Sequence, residues 1–139
     1  MPPSLKNLFA ELGQEWDPVD SVTAIDPDTD EVTCGEETYS GDVLVNASFY
    51  CVPSDTIFVD AVNLVPALYE IGDYAVATEL ARQYAYAPQV RLGNVANDLA
   101  SNVQADCLAG VYASSGFLVN REAQRLILSP GDLDEAVIA

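Results

Sequence analysis

The side chains able to do chemistry are unevenly supplied: twenty-two carboxylates, three cysteines and no histidine. Asp26, Asp28, Asp30 and Glu37 fall at the first, third, fifth and twelfth positions of a calcium-loop template, in which alternate oxygens wrap one cation. Its sixth position needs glycine for a sharp turn but holds Glu31, so these acids read as a polar hairpin turn. Glu79, Arg82, Gln83, Tyr86 and Gln89 line one side of a helix, opposite Val76, Leu80 and Tyr84. By pattern alone they form a solvated face. On a later helix Asp106 lies about 60° from Val103, near the apolar side, where a carboxylate needs a partner. Cys107 follows it, in a pattern that reads as buried, and no imidazole exists to activate its thiol. Among so many acids no pair stands out for acid–base work.

The elements that position these groups follow from periodicity. Ser4 to Glu15 reads as a short amphipathic helix with Leu5, Leu8, Phe9 and Leu12 on one face, ended by Gly13 or soon after. Ser21 to Ile25 and Glu31 to Cys34 are β-prone runs on either side of Asp26–Asp30, a plausible hairpin. Ala47 to Cys51 and Thr56 to Asp60 are two further strands around Pro53-Ser54-Asp55. The period then turns helical. Val62, Val65, Leu68 and Tyr69 mark one helix stopped at Gly72; Asp73 caps a second that ends near Pro88. A third spans about Ala96 to Ser115 with Leu99, Val103, Cys107, Val111 and Tyr112 as its apolar line. Asn120 to Leu128 is a fourth, and Ser129-Pro130-Gly131-Asp132 opens a fifth. Strands first and helices after predict an α+β fold. One domain covers 1–139: an N-terminal helix and arm over 1–20, a small sheet of three or four strands over 21–60, and a helical part over 61–139.

Half of the residues are apolar, enough for one modest core in 139 residues. The formal charge of −17 repels phosphates and anionic lipid, which argues against a nucleic-acid partner. The acidity itself reads as solubility, or as the mark of an acidic proteome. No run approaches the roughly 20 apolar residues of a membrane span, and no signal sequence follows Met1-Pro2-Pro3, a start equally compatible with a removed signal or anchor. The cysteine spacing leaves two readings open: a Cys34–Cys51 disulfide worth about 3 kcal/mol, or three reduced thiols.

Five segments together carry a resemblance. They are Cys34-Gly35, the run from Ser48 to Asp60, Gly72-Asp73-Tyr74-Ala75-Val76-Ala77, Gln104-Ala105-Asp106-Cys107-Leu108-Ala109-Gly110, and Leu128-Ser129-Pro130-Gly131-Asp132-Leu133-Asp134-Glu135-Ala136. In this order, over roughly Cys34 to Ala139, the chain resembles the bacterial neutral zinc metallopeptidases. The resemblance implies a zincin-like fold of gluzincin type. In such enzymes a His-Glu-x-x-His helix supplies two zinc ligands and a base, and a later helix supplies a third, acidic ligand. Here Arg82 stands at the first ligand position, Gln83 at the base, Tyr86 at the second ligand and Asn102 at the third. A permanent cation, an amide, a neutral phenol and another amide cannot do that work.

What the resemblance implies is therefore a pseudoenzyme, with no zinc and no other cofactor expected. Gln89 and Asp106 match the family pattern, where the aspartate orients a metal-binding histidine. Here Asp106 is expected to pair with Arg82, and if that pair is buried, Arg82→Ala destabilises by about 3 to 5 kcal/mol. The resemblance also favours the Cys34–Cys51 disulfide. It places the protein in the periplasm or cell envelope, with a possible membrane anchor before Met1 and a further cysteine-bearing segment after Ala139, so that Cys107 lacks its partner here. Arg82, Gln83 and Tyr86 could hold the carboxylate or backbone of a protein or peptide partner; equally, the old cleft is filled and another surface binds. The alternatives are an enzyme with non-zinc chemistry, or a peptidase using Asp and Cys ligands.

Overall fold

A computed structural model describes residues 5–93, 99–117 and 132–138. The chain opens with α1 (Leu5–Glu11), which ends as expected by Gly13, turned left-handed at φ 71°. Phe9 is its buried anchor. The Phe9 ring meets Trp16 edge-on at 5.1 Å between centroids, and Trp16 leans on Tyr84 at 6.2 Å.

Five strands follow: β1 (Ser21–Ile25), β2 (Glu31–Cys34), β3 (Glu37–Ser40), β4 (Ser48–Cys51) and β5 (Thr56–Asp60). They make a three-stranded sheet in the order β1-β5-β4 and a separate ribbon of β2 and β3. β5 takes the centre because its Ile57-Phe58-Val59 run has apolar side chains for both faces. The expected hairpin of β1 with β2 does not form. β1 instead pairs in parallel with β5, from Ser21 against Thr56 to Ile25 against Asp60, and β2 pairs antiparallel with β3. Asp26–Asp30 is a self-satisfied turn that passes the chain from one sheet to the other. In it the Asp26 N–H donates to Asp30 Oδ2 at 2.7 Å, and the Asp28 N–H to Asp26 Oδ1 at 3.0 Å.

The two sheets are joined across one core. By register, Ile25, Phe58 and Phe49 share a face of the larger sheet, and Phe49, Phe58 and Tyr39 pack against the buried cluster of Ile25, Val32 and Leu44. Phe49 packs on Phe58 at 5.4 Å and on Tyr39 at 6.0 Å between ring centroids. On the same side Cys34 of the ribbon is bonded to Cys51 of β4, with 5.8 Å between Cα atoms. Gly35 begins the ribbon's two-residue turn at φ 64°, where hairpins favour glycine.

The helices are α2 (Leu64–Ile71), α3 (Asp73–Tyr84), α4 (Tyr86–Arg91), α5 (Leu99–Phe117) and α6 (Asp132–Ile138), so the fold is α+β. None among the described residues is long and apolar enough to cross a membrane. α3 is the hub, packed against α2, α5, α6 and β4. The single helix expected to end near Pro88 is two: α3 stops at Tyr84, and Pro88 lies in the first turn of α4, where a missing N–H breaks no helical bond. The expected cap of α3 by Asp73 is also replaced. Glu135 of α6 accepts the Tyr74 N–H at 3.0 Å, and a Cβ at Gly72 would fall 1.9 Å from its carboxyl carbon.

α5 departs furthest from expectation. Its predicted apolar line faces solvent, with Leu99, Val103 and Val111 78%, 58% and 43% exposed, and Cys107 is exposed rather than buried. The packed side is Ser101, Ala105 and Ala109, whose small side chains let α5 approach α3 and α4 closely. The helix expected over 120–128 lies outside the described residues.

Candidate functional site

The residues singled out by sequence meet where α3 and α4 face α5. Arg82, in the last turn of α3, donates from Nε to Asp106 Oδ1 at 2.6 Å and from Nη1 to Glu79 Oε2 at 3.0 Å. Gln83 is buried and turns back along its own helix, its Nε2 donating to Glu79 Oε1 at 3.0 Å. One turn on, the Tyr86 hydroxyl donates to Asn102 Oδ1 at 2.6 Å. Gln89 is buried, and its Nε2 bridges the carbonyls of Ala85 and Ser101, both at 3.2 Å. Four of the six contacts, from Arg82, Tyr86 and Gln89 across to α5 and from Arg82 to Glu79, thus form a polar seam along the helix junction.

The electrostatics follow the contacts. Asp106 holds the Arg82 guanidinium above its ordinary pKa, against partial burial and with help from Glu79. Burial pushes the Tyr86 phenol up, so at neutral pH it remains a donor. The Arg82–Asp106 pair is not buried: the two side chains are 37% and 58% exposed. Asp106 escapes the apolar surroundings expected for it because its neighbour Val103 also faces solvent.

As a metal site the donor set does not fit. At Arg82, Gln83, Tyr86 and Asn102 the seam offers a guanidinium, a phenol already donating and two amides, none of them customary zinc ligands, and its two carboxylates, Glu79 and Asp106, are each held by Arg82. Among the described residues no three His, Cys, Asp or Glu side chains converge to hold a metal ion, the Asp26–Asp30 turn included. What the seam can do is fix the crossing of α3 and α4 with α5 and present the outer edge of one guanidinium.

Two further polar centres went unnoticed in the sequence. Arg91 on α4 donates from Nε to the Asp17 carbonyl at 2.6 Å, from Nη2 to the Pro18 carbonyl at 3.1 Å and Asp55 Oδ2 at 2.7 Å, and from Nη1 to the Tyr50 hydroxyl at 3.2 Å. Its guanidinium also lies over Trp16, 5.5 Å from the ring centroid. Tyr50 donates in turn to Asp55 Oδ1. Arg91 holds the Asp55 carboxyl below the usual range, against burial and with Tyr50 assisting. The knot ties the N-terminal arm to the β4–β5 turn and α4. The signal for it was scarcity: with five basic residues in the chain, each has many carboxylates to choose from.

Asp60, at the end of β5, is fully buried. It accepts from the N–H groups of Asn46, Val62 and Asn63 and from Asn63 Nδ2, at 2.8 to 2.9 Å. Burial alone would raise its pKa, but these donors, Asn63 foremost, outweigh it and leave the carboxyl below the usual range. An aspartate at a strand end just before a helix was the available clue. Both centres fasten separate segments of the chain, Arg91 the N-terminal arm, the β4–β5 turn and α4, and Asp60 the segments at Asn46 and at Val62–Asn63.

No protein-family model, curated protein or solved structure matches the chain. The resemblance to the neutral zinc metallopeptidases rests on the residues quoted for it.

Proposed function

We propose that this chain is a non-catalytic, metallopeptidase-like domain that works as a binding or scaffolding module in the bacterial cell envelope. The observation that carries the reading is mutual satisfaction. The side chains standing where the resemblance would put zinc ligands are paired off, Arg82 with Asp106 and Tyr86 with Asn102, each at 2.6 Å. An ion pair and a phenol–amide bond thus hold together helices that a metal would otherwise bridge. At the position of the general base stands Gln83, which cannot accept a proton, and the neighbouring carboxylates of Glu79 and Asp106 are engaged by Arg82 and Gln83.

Arg82 is the group best placed to meet a partner. Its Nε and Nη1 are engaged internally, while more than a third of the side chain is exposed. The remaining fork of the guanidinium suits a carboxylate or backbone carbonyl of a protein or peptide. The Cys34–Cys51 disulfide supports an oxidising compartment such as the periplasm.

Metal analysis of the purified protein together with a peptide-hydrolysis assay tests the proposal. The expected result is substoichiometric zinc and no turnover; stoichiometric zinc with chelator-sensitive hydrolysis would overturn it. Recovery of an envelope partner that is lost in Arg82→Ala assigns binding to the seam, whereas retention moves binding to another surface.

A further inference from the structure

The three-stranded sheet ends in two unlike edges. β4 is fastened through Cys51 to the ribbon and lies against α3, whereas β1 pairs only with β5. In a parallel ladder, alternate residues of a strand turn both of their backbone groups to the same side. The Ile25 carbonyl accepts the Ala61 N–H at 3.0 Å, on the β5 side, so the N–H and C=O groups of Val22 and Ala24 point off the sheet. Among the described residues no strand receives them. Sheets guard such an edge with charge, proline or a bulge. β2 and β3 each carry a glutamate, but β1, Ser-Val-Thr-Ala-Ile, has none of these devices, and Val22, Thr23 and Ala24 are all exposed. A bare edge of this kind can take up an extended chain as an added strand.

Charge says which chain. Asp17 and Asp20 stand before β1, Asp26 and Asp28 after it, and none of the four belongs to the ion pairs among the described residues. Arg91, which reaches the Asp17 carbonyl, is matched by Asp55. No basic residue stands in the sequence between Lys6 and Arg82. A second copy laid along this edge, in either direction, would set these acids against acids. A chain with basic residues on both sides of a short β-prone run meets opposite charge at both ends.

We propose that the free edge of β1 is a docking site for an extended basic peptide segment, which joins the sheet through the backbone of Val22 and Ala24 and sets its flanking lysines or arginines against Asp17, Asp20, Asp26 and Asp28. The edge shares no residue with the Arg82–Asp106 seam, and the proposal stands independently of the function assigned above. A few main-chain hydrogen bonds and exposed ion pairs make a weak, salt-sensitive contact, with a dissociation constant of roughly 10–100 μM at low salt.

The probe is a capped peptide with a Val-Thr-Val-Thr-Val centre and a pair of lysines at each end, titrated calorimetrically into the full chain at about 20 mM salt. Replacing its lysines by glutamates should abolish binding, and about 0.3 M sodium chloride should weaken it at least about tenfold. N-methylation of alternate peptide residues separates strand addition from charge attraction. In one phase it removes the N–H groups that face β1 and weakens binding at least about tenfold; in the other it leaves binding within about threefold. Hydrogen exchange at Val22 and Ala24 should slow at least about tenfold when the peptide is bound. Asp20→Lys with Asp28→Lys should weaken binding about tenfold, whereas Glu36→Lys with Glu70→Lys, the same charge change on the ribbon turn and α2, should change it by no more than about threefold. Absence of binding at millimolar peptide, equal binding of the glutamate peptide, N-methyl effects that do not alternate, or indifference to Asp20→Lys with Asp28→Lys would each overturn the proposal. So would exchange protection of Val22 and Ala24 that grows with protein concentration alone, which would give the edge to a second copy.

Discussion

Asp60 and Arg82 are both charged and both held by hydrogen bonds, yet their surroundings give them opposite weight. Asp60 is fully buried, so Asp60→Ala strands three backbone N–H groups and should destabilise by about 3 kcal/mol or more. The Arg82–Asp106 pair is substantially exposed, so Arg82→Ala should stay within about 1 kcal/mol rather than the 3 to 5 of a buried pair. Urea denaturation of the two variants measures both. The pH dependence has the same origin. Asp55 and Asp60 titrate below their usual range, so their stabilisation is complete above the unfolded carboxyl pKa of about 3.9 and is lost as pH falls through the depressed folded values. Thermal melts should decline below about pH 4, and Asp60→Asn should flatten that decline. The Arg82–Asp106 contact was legible because the resemblance put both groups on facing helices. The Asp60 and Arg91 centres were not, because most of their partners are backbone groups, which carry no sequence signature.

Elements were legible where a local pattern decides them and hidden where partner choice does. Ile57-Phe58-Val59 announces a strand, and it is the central one. Nothing local says that β1 passes over β2 and β3 to lie beside it. β3 has only Tyr39 turned toward the core, too little for an alternation to show. For α5 the apolar period predicts a helix, but the largest side chains do not choose its packed face; the small ones do. Ala105→Leu should therefore overpack the junction and destabilise by about 1 to 3 kcal/mol. Val103→Ser on the outer face, in dilute solution, should stay within about 0.5 kcal/mol. Chemical denaturation of the two variants would return the reverse order if the apolar line were the packed one.

At the scale of the whole molecule, charge imbalance sets the tone. Arg82 and Arg91, two of five basic residues, are engaged with Glu79, Asp106 and Asp55, which leaves most of the twenty-two acids without a counter-charge. Screening self-repulsion should outweigh screening the three ion pairs among the described residues, so moving from about 10 mM to 0.3 M sodium chloride should raise Tm by roughly 3–5 °C; a fall would show the ion pairs to dominate. The cystine bridge has a kinetic consequence as well. Ser21 and Thr56, which open the parallel β1–β5 ladder, are 35 residues apart, and the Cys34–Cys51 link short-circuits 17 of them. The loop that must close before that ladder can form is roughly halved, saving about 0.6 kcal/mol of chain entropy. Where closure limits the rate, stopped-flow refolding of the oxidised chain should run about threefold faster than that of the reduced one. The bridge thereby sets the order of events, with the ribbon fastened to β4 before the first strand finds its place.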